Sequence, residues 1–135
     1  MRNLISPALL TLLLAGSAGA ADYYVSTAGN DANAGTQASP WRTVGKINGR
    51  ALAAGDRVFF AGGQIFIDAG LALGSDDAGN AGNRVVIGSY GSGRATIKPA
   101  TAHGCDIYNV AGITIQNLIF EGPGLTTSTK AGLQA

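Results

Sequence analysis

The stretch that decides the fold is Val85-Val86-Ile87-Gly88-Ser89-Tyr90-Gly91-Ser92-Gly93-Arg94-Ala95-Thr96-Ile97. Two short β-branched runs are separated by a glycine-rich turn, and neither run reaches helical length. The same unit recurs in both directions. Upstream lie Val58-Phe59-Phe60, Ile65-Phe66-Ile67 and Leu71-Ala72-Leu73; downstream lie Asp106-Ile107-Tyr108, Ile113-Thr114-Ile115, Leu118-Ile119-Phe120 and Gly132-Leu133-Gln134. Each is bounded by Gly, Asn, Asp or Pro, which read as strand ends.

The runs fall into three interleaved series. Phe59, Ile87 and Ile115 are 28 residues apart; Ile65, Ile97 and Ile119 are spaced by 32 and 22; Leu71, Ile107 and Leu133 by 36 and 26. Three strands per repeat, with corners of unequal length, predict an all-β solenoid: a right-handed parallel β-helix whose stacked turns share one aliphatic core. The polar segment Asp76 to Asn83 is the corner insertion of the longest interval. Asn109 and Asn117 sit beside strands, as a stacked amide ladder or as turn residues.

Residues 21–55 read differently. Asp22-Tyr23-Tyr24-Val25-Ser26 is an opening strand. Thr27 to Thr36 is a turn loop in which Asp31 is the lone carboxylate, too few for a calcium site. Ser39-Pro40 predicts a helix start, with Trp41, Val44, Ile47 and Leu52 on one face and Gly55 as the stop. Laid over the first turn, such a helix would cover unpaired strand edges. Trp41 is expected to anchor the core.

Residues 1–20 predict a cleavable export signal: Arg2, an apolar run from Leu4 to Ala15 interrupted by Pro7 and Thr11, then Ala18-Gly19-Ala20. Cleavage after Ala20 would give a secreted or periplasmic chain with no membrane segment. The whole chain carries nine Lys/Arg and eight Asp/Glu, so losing Arg2 balances the charge. No basic stripe remains for nucleic acid. Cys105 is the single cysteine, so no internal disulfide forms, and a core position is expected for it. The domain reading is therefore signal 1–20, cap 21–55, and first turns of the helix 56–135.

Tyr23-Tyr24-Val25-Ser26, Gly29-Asn30-Asp31, Pro40-Trp41-Arg42-Thr43, Gly55-Asp56-Arg57-Val58, Val86-Ile87-Gly88-Ser89-Tyr90-Gly91 and Gly112-Ile113-Thr114-Ile115-Gln116-Asn117-Leu118 together resemble the opening of bacterial parallel β-helix proteins of the pectate-lyase-like superfamily. The run is especially similar to secreted polysaccharide lyases such as the family 9 pectate lyases. The resemblance implies a partner polysaccharide rich in uronate and, in the full-length lyase, β-elimination by a Lys or Arg base assisted by aspartate-bound calcium. It places that machinery on later turns, so no catalytic, cofactor or metal residue transfers to this chain, whose catalytic residues stay unknown. The segment Lys130 to Ala135 enters a new strand without a cap, which predicts a reading frame that continues. The alternative is a non-catalytic glycan-binding or adhesive surface β-helix, distinguished from the lyase by binding to pectate without unsaturated product.

Among local clusters, Asp76-Asp77 and the group Arg94, Lys98, His103 and Asp106 are the nearest approach to a site. The bland reading is preferred for both: solvated loop residues.

Overall fold

A computed structural model describes residues 19–123 and 133–134. The expected export signal, all but its last two residues, lies outside them.

The described elements are β1 (Asp22–Val25), α1 (Val44–Asn48), β2 (Arg57–Ala61), β3 (Ile65–Phe66), β4 (Leu71–Leu73), β5 (Val85–Tyr90), β6 (Ala95–Ile97), β7 (Cys105–Ile107), β8 (Ile113–Ile115), β9 (Leu118–Phe120) and β10 (Leu133–Gln134). They form three small sheets with orders β1-β2-β5-β8, β3-β6-β9 and β4-β7-β10. Every pairing is parallel. A two-residue hairpin cannot join parallel neighbours. Here the crossover runs through the other two sheets: from β2 onward the chain visits the three in fixed rotation.

The grouping of strands matches the three series read from the sequence, but the register differs. The inward row of the first sheet is Tyr23, Val58, Ile87 and Ile115. Phe59 instead stands opposite Gly88 and is only half-buried, while Val58 is fully buried. In the second sheet Phe66, Ile97 and Phe120 are in register, whereas Ile65 pairs with Thr96 and is 56% exposed. In the third, Leu71 lies opposite Cys105 and Cys105 opposite Leu133, with Ile107 opposite Leu73. The physical reason is the period of two along a strand, which sends a residue one place away to the other face. The true step is 29 residues from Val58 to Ile87 and 28 from Ile87 to Ile115, so equal spacing was not the register.

All three sheets contribute to one core. Val58, Phe60, Val85 and Ile87 meet Phe66, Ala95 and Ile97, and Leu71, Leu73 and Cys105, together with Trp41, Val44, Ile47 and Leu52 from the cap. Fully burying one such side chain contributes about 1.5–3 kcal/mol. That burial sustains a five-residue helix which would not form in isolation.

The helix starts later than Ser39-Pro40 predicts. Its N-cap is Thr43, whose Oγ1 accepts from the Lys46 amide at 3.1 Å, and its C-cap is Gly49. Trp41 stays extended because its ring and backbone are both engaged by β1. The indole stacks on Tyr23 with centroids 5.0 Å apart, and its Nε1 donates to the Asn33 carbonyl at 2.7 Å. Trp41 N donates to Tyr24 O, and Ser26 N donates to Trp41 O, so this segment continues the sheet beyond β1. Trp41 is 4% exposed and anchors the core as expected.

Candidate functional site

The chemistry-bearing side chains divide between polar groups that finish the cap and groups that remain on the surface. Asp31 belongs to the first kind. Its Oδ1 accepts from the amides of Arg42 (2.8 Å) and Thr43 (3.0 Å), and its Oδ2 accepts from Thr43 Oγ1 (2.6 Å). Burial pushes this carboxyl up, but the Thr43 hydroxyl, the two amides and the Lys46 charge together outweigh it and hold the pKa below the usual value. Asp68 accepts from the amides of Val44 (3.3 Å) and Gly45 (3.0 Å) at the start of α1. Asp56 links Ala21 N (2.9 Å) and Ala53 N (3.0 Å). Asp77, buried rather than solvated as expected, links Leu52 N (3.0 Å) and Gly74 N (2.9 Å). Its neighbour Asp76 is exposed.

A groove of about 650 Å³ opens between the turn loop and the end of β3, lined by Thr27, Asn30, Asp31, Arg42, Thr43, Ile65, Phe66, Ile67 and Asp68. Both of its carboxylates are committed to the hydrogen bonds just described. Acid–base chemistry by two carboxylates needs one kept protonated, and the net effect of the surroundings on Asp31 is the opposite. A second groove, of about 620 Å³, runs beside Trp41 with Lys46 and Arg50 in its wall. Arg50 lies 4.4 Å from the Tyr23 ring centroid and donates to its hydroxyl at 2.5 Å; Lys46 lies 5.4 Å from the Trp41 ring. These cations set their charged groups over the Tyr23–Trp41 stack.

The outward face of the first sheet carries an aromatic cluster. Tyr24 meets Phe59 at 5.3 Å and Tyr90 edge-on at 5.2 Å, and Arg57 covers Phe59 while pairing bidentately with Asp22 at 2.6 and 2.7 Å.

The group Arg94, Lys98, His103 and Asp106 does not assemble. His103 Nδ1 meets Asp106 Oδ1 at 2.7 Å, and Lys98 pairs with Glu121 at 2.7 Å, beyond the ends of β6 and β9. Asn109 and Asn117 are turn residues with left-handed backbone, φ +50° and +55°, and both are exposed; no amide ladder links them among the described residues. Cys105 is fully buried, and desolvation, with the nearby Asp106 charge, pushes its thiol up to about 11. A thiol so placed is protonated at neutral pH and is no nucleophile. Among the described residues no group of three or more His, Cys, Asp or Glu could hold a metal ion, and no helix is long and apolar enough to cross a membrane. Sequence reasoning missed Asn48, Gln64 and Asp68, whose side chains all bond to distant backbone or side-chain groups. A lone polar residue beside a turn carries no signal that separates this use from solvation.

No protein-family model matches the chain. A lacto-N-biosidase from Bifidobacterium longum subsp. longum is 45% identical over 73 residues, which is 51% of this chain and 4% of that protein. The crystal structure of the GH136 lacto-N-biosidase from Eubacterium ramulus is 25% identical, with TM-score 0.68 over 78% of this chain and 21% of that chain in its native form. Its selenomethionine derivative gives TM-score 0.67 over 77% and 21%. The chain thus spans a small part of each relative.

These likenesses correct the expectation from resemblance. The proteins found are glycoside hydrolases of the lacto-N-biosidase type, not family 9 pectate lyases. The readings of β-elimination on a uronate polymer, and of a non-catalytic adhesive, give way with it. The residues quoted for the lyase resemblance build strands, turns and cap, and a shared fold does not fix the reaction. What survives is the coarser expectation that a glycan is the partner of such proteins.

Proposed function

We propose that this chain forms the cap (residues 21–55) and first turns (56–135) of a right-handed parallel β-helix in a secreted glycoside hydrolase of the lacto-N-biosidase type. The observation that carries the reading is the 45% identity over 73 residues to such an enzyme. The rotation of the chain through three parallel sheets around one core supports the β-helix. On this reading residues 1–20 act as the export signal, cut after Ala20, and the protein is secreted or periplasmic.

The substrate class is an oligosaccharide containing lacto-N-biose. Glycoside hydrolysis places two carboxyl groups about 5–10 Å apart, one of them protonated. The described Asp and Glu residues are engaged in cap and turn hydrogen bonds or in ion pairs with Arg57, Lys98 and His103, apart from the exposed Asp76. The chain's part is therefore to start and seal the scaffold on which the reaction is carried.

The test is to express the chain together with whatever coding sequence follows it and supply an oligosaccharide ending in lacto-N-biose. Release of the disaccharide supports the reading. An intact oligosaccharide in the presence of folded, exported protein overturns it. Sequencing the N-terminus of the exported protein should start at Ala21.

A further inference from the structure

Asp56 is 4% exposed, and no basic side chain among the described residues pairs with it. Its carboxylate meets two amides: Oδ1 accepts from Ala21 N at 2.9 Å and Oδ2 from Ala53 N at 3.0 Å. A buried charge with no partner of opposite sign is costly. The backbone nevertheless holds this residue from both sides, since Asp56 N donates to Ala53 O and Val86 N donates to Asp56 O.

Ala21 stands where the chain joins the first sheet. Its carbonyl accepts from Arg57 N at 2.8 Å, next to the Asp22–Arg57 pair that opens the β1–β2 ladder, whereas Gly19 and Ala20 are exposed. The bond between Ala20 and Ala21 is also the one that Ala18-Gly19-Ala20 marks for cleavage. A cut there leaves the ladder whole. It also turns the donor that faces Asp56 Oδ1 from an amide into an amine.

We propose that Asp56 is the receptor for the α-ammonium group of the chain cut after Ala20, so that loss of the leader completes the cap with a buried ion pair. The proposal rests on the export reading given above. In the cut, water adds across the peptide bond. Its oxygen goes to the Ala20 carbonyl carbon, which leaves as a carboxylate, and its two protons join the amide hydrogen on the Ala21 nitrogen. One N–H keeps the contact with Oδ1, now between opposite charges. The charged side chains of the neighbouring strand ends are engaged elsewhere: Asp22 with Arg57, and Arg84 with the Ile113 carbonyl at 3.4 Å. A cut one residue later would delete both contacts of Ala21.

The test reads the sign of one titration. The protein is made with an N-terminal tag whose removal leaves Ala21 first, and the acetylation rate of its α-amine is followed against pH. Burial alone favours the neutral amine and lowers its pKa, whereas pairing with Asp56 raises it. The native group should titrate at about pH 9 or above, against about 8 in the unfolded chain, leaving about tenfold less free amine at neutral pH. The stability gained from the pair is then whole below about pH 8 and is lost as pH rises through the folded value. Asp56→Asn should abolish the rise. A native amine that titrates at or below its unfolded value overturns the proposal whether or not the Asn variant folds, and so does a folded Asn variant that keeps the rise. Because the tag fixes the N-terminus and no glycan is present, failure here is distinct from a different cleavage site or an inactive hydrolase.

Discussion

The side-chain amide of Asn48 pairs with Ala72 as a neighbouring strand would. Its Oδ1 accepts from Ala72 N at 2.9 Å while its Nδ2 donates to Gly70 O at 2.8 Å. Because β4 is the end strand of its sheet, one carboxamide from α1 occupies the edge that would otherwise invite another chain. Asn48→Ala removes two hydrogen bonds at an exposed site where water replaces them in part. The expected cost is about 1 kcal/mol, a fall in Tm of about 4 °C. Asn48→Asp keeps the acceptor for Ala72 but sets a carboxylate against the Gly70 carbonyl. It should be no more stable than the alanine variant; thermal melts of the three proteins decide this.

Asp31 links pH to the cap. Its folded pKa is depressed, so the stability it supplies is present above the unfolded carboxylate value of about 4 and is lost as pH falls through the folded value. The wild-type Tm should therefore drop more steeply below about pH 4 than that of Asp31→Ala, with the gap between them widest at neutral pH. Parallel acid-limb slopes in the two proteins would show that the Thr43 and Arg42 contacts do not act through the charge.

The three-way grouping of strands was legible because β-branched runs bounded by glycine are a local signal. The register was not. Phe59 and Val58 are both apolar neighbours, and it is Val58 that pairs with Ile87 while Phe59 stands opposite Gly88, a choice no local pattern announces. The helix start was misplaced for a similar reason: Ser39-Pro40 is a good cap by composition, but the Trp41 ring is drawn into the Tyr23 stack and keeps the chain extended. Chemistry was least legible. Gly29-Asn30-Asp31 and Gly55-Asp56-Arg57 serve turns and cap through Asp31 and Asp56, and such residues say little about which glycosidic or uronate bond is broken.

Cys105 should be silent in the native protein. Its thiol is fully buried and, with a pKa near 11, stays protonated at pH 8, so a thiol reagent should label it only after denaturant is added. The raised pKa also gives a sign at alkaline pH. The stability it contributes is whole below the usual thiol value of 9.0 and is lost as pH rises towards about 11. Cys105→Ala should flatten that alkaline decline; rapid native labelling at pH 8 would contradict the burial.

Two glycines separate backbone strain from steric contact. Gly91 has φ +75° with open space where a Cβ would stand, whereas Gly112 has φ +69° and its Cβ would lie 2.4 Å from the Gly79 carbonyl carbon and 2.6 Å from Asn80 N. Gly91→Ala should cost only the left-handed penalty, about 1–2 kcal/mol. Gly112→Ala carries the same penalty and also forces apart two corners of consecutive turns, because Gly79 N donates to Ala111 O and Val85 N to Gly112 O at this crossing. Its cost should exceed that of Gly91→Ala by about 2 kcal/mol or more, and part of it should appear as faster exchange at Gly79 and Val85. Equal chemical-denaturation midpoints for the two variants would mean that the corners move apart freely, and that corner contact does not set the step between β5 and β8.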